Sequence, residues 1–402
     1  MKYSFYINSK SALDKLRILL KRIGNTDDSH LINSISELYI DSKLLFSNIN
    51  DEKVFVNIFK IGKNINIIPH SQLLYYQFSE EEFIEDDPTN QLQQKIDYLH
   101  NFYEENEDDG EIYYHFSNYS NSRYSTFYND ILEKINTDPS VSRSSLFRFF
   151  DIELPQRIQL SKKISPFIFL EDSHHPNVQN FDDFFDTYEN IDREFNTFLL
   201  YSPLEYIKKI NSFHNREKLS DFEKIILWLP DFNEISAKID EIRDLQSFLR
   251  DLYELNDNII YLYGGMMIGE FFSDYIEEVI CRKDIYPGYR IIPTKETFGR
   301  RKKNLFFPQF GRTTKLENIA APPYRGFFEC KCLSCLDYYD ERGIFNKRDC
   351  LEQLEHSDTR KYYHNYHSFL LKLDSNEDIE KYPDQKLDNI KLGSKWRRAL
   401  NE

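Results

Sequence analysis

From about residue 160 to residue 270 the chain alternates short apolar runs with amphipathic stretches, and this alternation limits the folds open to it. "SPFIFLED" is an apolar run that ends in Glu171 and Asp172. "NTFLLYSPLEYIKKINSF" reads as a strand, a turn at Ser202–Pro203 and a helix. "EKIILWLPDF" reads as another buried strand, ending at Pro230–Asp231. "EISAKIDEIRDLQSFLRDLYEL" then sets Ile235, Ile239, Ile242, Leu245, Leu249 and Leu252 on one helical face. "DNIIYLYGGMMIGE" is a further buried strand that runs into glycines. Strands and helices in this order predict a parallel sheet with crossover helices. The expected fold class is α/β; a (β/α) barrel fits the pattern, and an open doubly wound sheet fits the periodicity nearly as well. Function in a barrel sits at the C-terminal strand ends. Here those ends carry Glu171, Asp172, Ser202, Asp231, Gly264 and Gly265.

The earlier part of the chain is mixed. "ALDKLRILLKRIG" has apolar residues at helical spacing and stops at a glycine, as a helix C-terminus does. "KVFVNIFKIGKNINIIP" alternates and reads as β-structure. Residues 79–111 are acidic and read as a loop or an exposed helix. At 402 residues the chain suits one large α/β domain with an appendage, or two domains. No apolar run approaches the length of a membrane span, and the N-terminus reads as lacking a signal peptide, so no membrane partner and a cytoplasmic location are expected.

The net charge of −16 argues against nonspecific coating of nucleic acid. The charge is uneven, however. Between Arg282 and Lys315 there are ten basic residues and two acidic ones, with Arg300, Arg301, Lys302 and Lys303 the densest part. Such a strip, with Arg312, fits a polyanion touching one face; a solvated loop is the plainer alternative.

Three of the five cysteines, Cys330, Cys332 and Cys335, crowd into "FFECKCLSCLDYYDERG". Tetrahedral Zn2+ takes thiolates and imidazoles, four in a closed structural site. The fourth ligand has to come from elsewhere, with Cys350, His356, His364 and His367 as candidates. Upstream, "YGGMMIGE" ends a strand in paired glycines. Bare backbone at Gly264 and Gly265 can lie against a planar ligand, with Met266 beside it, and Glu270 can accept from an amino group. Gly-Gly after a strand is also an ordinary turn.

In this order the two motifs resemble the tRNA-guanine transglycosylases (queuine and archaeosine tRNA-ribosyltransferases). That family has a GG-x-x-x-GE loop that seats the base, then C-x-C-x-x-C completed by the histidine of a His-Asn pair on a following helix. Gly264, Gly265, Gly269 and Glu270 match the first pattern. Cys330, Cys332, Cys335 and "YYHNYHSFLLKL" match the second, which implies His364 as the fourth ligand, with His356 or His367 as alternatives. His367 otherwise reads as helix surface. The resemblance covers residues 225–375 well and does not extend to 1–150. It implies a (β/α)8 barrel with a C-terminal zinc subdomain and a structural Zn2+. The chain then divides into a divergent N-terminal part (1–150), a barrel core (151–320), a zinc subdomain (321–380) and a basic tail (381–402).

The family exchanges guanine for a deazaguanine through an aspartate nucleophile near a Pro-Thr-Arg sequence. In "YPGYRIIPTKETFGRR" Pro293, Thr294 and Lys295 imitate that sequence, but Tyr289 stands where the acid is expected. Asp231 and Asp172 are therefore the candidate catalytic carboxylates, each with helix capping as its alternative role. Two functions follow: base exchange in tRNA or DNA by a recruited carboxylate, or a non-catalytic relative that binds nucleic acid or a partner subunit in a homo- or hetero-oligomer. In both, Arg300, Arg301, Lys302, Lys303 and Arg312 contact phosphates.

Overall fold

A computed structural model describes residues 1–68, 77–79, 106–108, 111–115, 123, 126–127, 129–131, 133, 164–165, 196–282, 304–308, 312–320, 324–375 and 392–401. Strand β1 (Lys2–Ile7) leads into α1 (Lys10–Ile23). The Ser9 hydroxyl caps this helix by accepting the Ala12 N–H, and Leu13, Leu16, Leu20 and Ile23 form its buried stripe. After β2 (Ile35–Asp41) come α2 (Ser42–Ser47), α3 (Glu52–Ile61) and β3 (Ile65–Ile68). Residues 52–61, read as β-structure from their alternation, are thus helical. Asp51 accepts the Lys53 N–H at one end, and Gly62 stops the helix at φ 68, in the left-handed region. Val54, Phe55 and Ile58 share the buried face at helical spacing.

Three short strands, β4 (Gln77–Ser79), β5 (Asn106–Asp108) and β6 (Glu111–His115), form a separate antiparallel sheet with β6 in the centre. The main sheet resumes at β7 (Ile164–Ser165) and β8 (Thr197–Tyr201), followed by α4 (Leu204–Ile207) and β9 (Lys224–Trp228). Then come α5 (Ile239–Leu255), β10 (Ile259–Leu262), α6 (Met266–Phe271) and β11 (Ile276–Arg282). Its order is β3-β2-β1-β11-β10-β9-β8-β7, and every pairing is parallel.

Strand β1 lies between β2, the next strand in sequence, and β11, the last strand of the sheet. A doubly wound sheet would put a central strand of the chain in the place of β11. The observed order is that of an all-parallel, barrel-like shell. Among the described residues no hydrogen-bonded ladder joins β3 to β7, although the two strands approach each other. Strand β8 and strand β10 are buried on both faces, as expected where helices cover a parallel sheet. Inside the shell, the buried Glu278 accepts hydrogen bonds from the Ser4 and Tyr39 hydroxyls.

The chain continues into a hairpin, β12 (Asn304–Phe307) and β13 (Arg312–Lys315), then α7 (Leu316–Ala320) and α8 (Tyr324–Phe327). The cysteine loop, α9 (Lys347–His356) and α10 (Asp358–Asp374) follow. Leu305, Phe307, Leu316, Ile319, Phe328 and the four cysteines Cys330, Cys332, Cys335 and Cys350 pack into a second core. Of the residues grouped by sequence with the barrel core, Leu305, Phe307, Leu316 and Ile319 pack with the cysteine module, while Phe306 packs in the main core. Helix α10 joins this module to the sheet: Tyr366 and Phe369 pack on Phe5, and the Tyr362 hydroxyl donates to the Ala12 carbonyl.

Helix α11 (Leu392–Asn401) lies in the segment read as a basic tail. It docks on α5, where Arg243 Nε donates to the Ala399 carbonyl. Trp396 is fully buried, its Nε1 donates to the Glu234 carbonyl at 3.0 Å, and its ring stacks on Phe271. Among the described residues no helix is long and apolar enough to cross a membrane.

Candidate functional site

The cysteine loop is a tight turn. Cys335 and Leu336 both donate their N–H groups to the Cys332 carbonyl, and the Cys332 N–H points at Cys330 Sγ, 3.4 Å away. This curls three thiols toward one point. Helix α10 brings His364 to the same point, with Nδ1 3.3 Å from both Cys332 Sγ and Cys335 Sγ. The ligand atoms of Cys330, Cys332, Cys335 and His364 all lie within 4.8 Å of one another, and all four residues are buried.

The orientation of His364 is fixed from behind. Its Nε2 lies 2.8 Å from the Phe306 carbonyl, which can only accept, so Nε2 carries the proton and Nδ1 turns its lone pair to the sulfurs. A metal-ligating histidine is held in this way. The neighbouring Asn365 takes the Phe306 N–H at 2.8 Å, so the His-Asn pair clamps both polar groups of one backbone residue. Three buried thiolates without a cation would be costly, and a thiolate–imidazole set suits a borderline-soft divalent ion. The four donors can hold a metal ion.

The other candidate ligands have different roles. His367 is not helix surface: it is fully buried, its Nδ1 accepts the Leu333 N–H at 2.9 Å, and its Nε2 lies 3.3 Å from Asp28 Oδ2. It pins the cysteine loop to the N-terminal part of the chain. Burial pushes its pKa down against the pull of Asp28. His356 is exposed at the end of α9. Cys350 is buried on α9, and its Sγ lies 3.3 Å from Cys335 Sγ.

At the C-terminal end of β10 the chain turns sharply. Tyr263 has φ 64, the one positive φ outside glycine among the described residues. Its ring packs against Tyr6 at 5.2 Å and Trp228 at 5.0 Å, and Trp228 packs against Tyr201 at 4.3 Å. The following glycines fit against the protein itself. A Cβ on Gly264 would stand 2.8 Å from Val279 Cγ1, one on Gly265 would overlap the Glu234 carboxylate, and one on Gly269 the Tyr3 hydroxyl. Met266 is buried and Glu270 exposed.

Glu234 is a carboxylate that the sequence pattern did not single out. Its Oε2 accepts the N–H groups of Gly265 at 3.1 Å and Ile268 at 3.2 Å. Burial pushes its carboxyl up to about 7, against the pull of those two N–H groups. Asp231 occupies a capping position: its Oδ1 accepts the Leu204 N–H at 2.9 Å, at the start of α4. Burial raises its pKa, opposed by the backbone hydrogen bonds. Asp172, Tyr289, Arg300, Arg301, Lys302 and Lys303 lie outside the described residues. Arg312 opens β13, where its backbone pairs with Phe307.

Asp41, at the C-terminal end of β2, was also missed. The Tyr6 hydroxyl donates to its Oδ2, and the Lys43 N–H donates to its Oδ1 at 2.8 Å. Tyr6 is hydrogen-bonded in turn to Tyr263. A chain of polar groups, Tyr263–Tyr6–Asp41, thus crosses the mouth of the shell. Burial and the charge of Asp41 hold the Tyr6 hydroxyl well above the ordinary tyrosine range. The signal was present in "LYIDSKLL", an apolar strand that ends in an aspartate at a helix start.

A scan against protein-family models gives no match for this chain, and neither does a search of the curated proteins.

Proposed function

We propose that the chain is a complete (β/α)8 barrel of the tRNA-guanine transglycosylase type. In this reading a structural Zn2+ is held by Cys330, Cys332, Cys335 and His364, and a guanine-like base of tRNA or DNA is taken up at the C-terminal strand ends. The observation that carries it is the convergence of the C-x-C-x-x-C thiols with the histidine of a His-Asn pair, downstream of the Gly-Gly turn. The strand order, with β1 beside β11 and β3 approaching β7, supports closure of the barrel. Four protein ligands leave the metal no open position, so it holds structure and takes no part in chemistry.

Base exchange needs a carboxylate to displace the base at the anomeric carbon and to be displaced in turn by the incoming base. Asp41 is the best placed of the described carboxylates. It stands at a strand end and is addressed by a phenol, which can hold or return a proton beside the departing base. Asp231 and Asp172 remain candidates, and the strip Arg300 to Lys303 with Arg312 supplies phosphate contacts.

The non-catalytic reading has one observation in its favour. The side-chain positions of Gly264, Gly265 and Gly269 face Val279, Glu234 and Tyr3, so these glycines serve close packing within the protein itself. Incubation with labelled guanine and tRNA or DNA separates the two. Exchange that is lost in Asp41→Asn supports the enzyme. If no exchange occurs but binding does, and binding falls in Arg300→Glu/Arg301→Glu, the chain is a binding scaffold. Metal analysis finding no zinc would remove both.

A further inference from the structure

Cys350 is a fifth sulfur-bearing side chain of the module that the metal tetrad does not use. It belongs to the same buried core as the three cysteine ligands. Its Sγ donates toward Cys335 Sγ at 3.3 Å, while His364 Nδ1 stands 3.3 Å from that same sulfur. Cys335 therefore lies between a metal-facing partner and a second thiol. The two come from separate elements, the cysteine loop and α9, so a bond between them would cross-link the module. The remaining cysteine, Cys281, lies on β11 in the core of the main sheet.

We infer that Cys335 and Cys350 form a redox pair that a hydroperoxide converts into a disulfide, taking Cys335 out of the metal tetrad. The chemistry balances on the sulfurs. Hydrogen peroxide transfers one oxygen to the metal-facing Cys335 thiolate, giving a sulfenic acid and a hydroxide that takes a solvent proton to become water. Cys350 Sγ then forms the S–S bond, and the sulfenic hydroxyl leaves with the Cys350 proton as a second water. Together the two sulfurs give up two electrons, which the peroxide takes up with one proton from Cys350 and one from solvent. The sulfurs have to close from 3.3 Å to the ~2.05 Å of a disulfide. Cys330, Cys332 and His364 remain, a three-donor set that holds the ion far more weakly. Thiol reductants reverse the bond, so the module becomes a reversible metal switch. The inference rests on the metal reading of the tetrad.

The test uses the full chain, assayed first for zinc content. Hydrogen peroxide is then added while a chromogenic chelator follows zinc release, and thiols are mapped by alkylation and peptide mass spectrometry. The expected result is a Cys335–Cys350 linked peptide that appears in step with zinc release, with Cys281 still alkylated and binding restored by dithiothreitol. Cys350→Ala should retain its zinc before oxidation and release it about tenfold more slowly on oxidation. Cys350→Ser serves the same purpose should the alanine variant not fold. Equal release rates in wild type and variant would overturn the inference. So would linkage confined to Cys330, Cys332 and Cys335, or loss of zinc from the variant before oxidation. Absence of zinc at the outset would instead remove the metal reading itself.

Discussion

Replacing Glu234 with Gln removes one ionisable group and leaves an oxygen for the N–H groups of Gly265 and Ile268. The native carboxyl is buried and held at about 7, against its ordinary 4.5. An unfolded chain releases this proton near 4.5, whereas the folded chain keeps it until about 7. Between those values the unfolded state binds fewer protons than the folded one, so stability falls as pH rises, then levels off. The carboxyl thus imposes no penalty below its ordinary value and its full penalty above about 7. The gap corresponds to roughly 3 kcal/mol. In Glu234→Gln nothing titrates in this window. The stability difference between variant and wild type should move by roughly 3 kcal/mol in the variant's favour from about pH 4.5 to about pH 8. Any fixed cost of burying the amide shifts both ends equally. Urea unfolding with saturating zinc, followed by the fluorescence of the buried Trp228 and Trp396, measures it. A difference constant to within ~0.5 kcal/mol across that range would refute the burial argument.

Gly269→Ala should cost about 1–3 kcal/mol, because its Cβ would meet the Tyr3 hydroxyl and stand 2.8 Å from Tyr3 Cζ. Tyr3→Phe should recover part of that loss, and strictly additive effects in a double-mutant cycle would show that another contact excludes the side chain. Asn365→Ala leaves the buried Phe306 N–H without its acceptor, at about 1–3 kcal/mol, and should speed exchange of an ion held by the four donors because the Phe306 carbonyl orients His364. An unchanged exchange rate with a labelled zinc isotope would count against the clamp. Trp396→Ala should destabilise the fold by about 3–5 kcal/mol in thermal unfolding, and a loss below ~1 kcal/mol would mean that α11 is not part of the cooperative unit.

Elements with one dominant period were legible in the sequence. The stripe of α5 and the apolar runs of β8, β9 and β10 announced themselves because burial alone selects those residues. Residues 52–61 misled because Val, Ile and Phe alternate there and favour strands, while the caps that decide the outcome, Asp51 and Gly62, act through geometry. The clustered cysteines were legible because thiols are scarce in this chain, and the family resemblance singled out His364. His367 was not legible: a buried histidine that receives a backbone N–H looks in sequence like any polar residue on a helix. Glu234 was missed for a similar reason, since burial of a carboxylate depends on residues far away in the chain; Asp41 stood in a readable strand-end pattern, but its pairing with Tyr6 was not legible. Trp396 showed no sign of its docking site, because Phe271 and Glu234 are remote in sequence.

The pairing of β1 with β11 also bears on how the chain is made. Ser4 and Glu278, which meet inside the shell, are 274 residues apart. At a synthesis rate of ~5–20 residues per second, the first strand waits tens of seconds for its neighbour. Throughout that interval β1 can be joined by β2 on one side only, while its other edge is open to any strand nearby. Completion of the sheet is thus a late, non-local event, and the nascent chain is the form of this protein most exposed to mispairing.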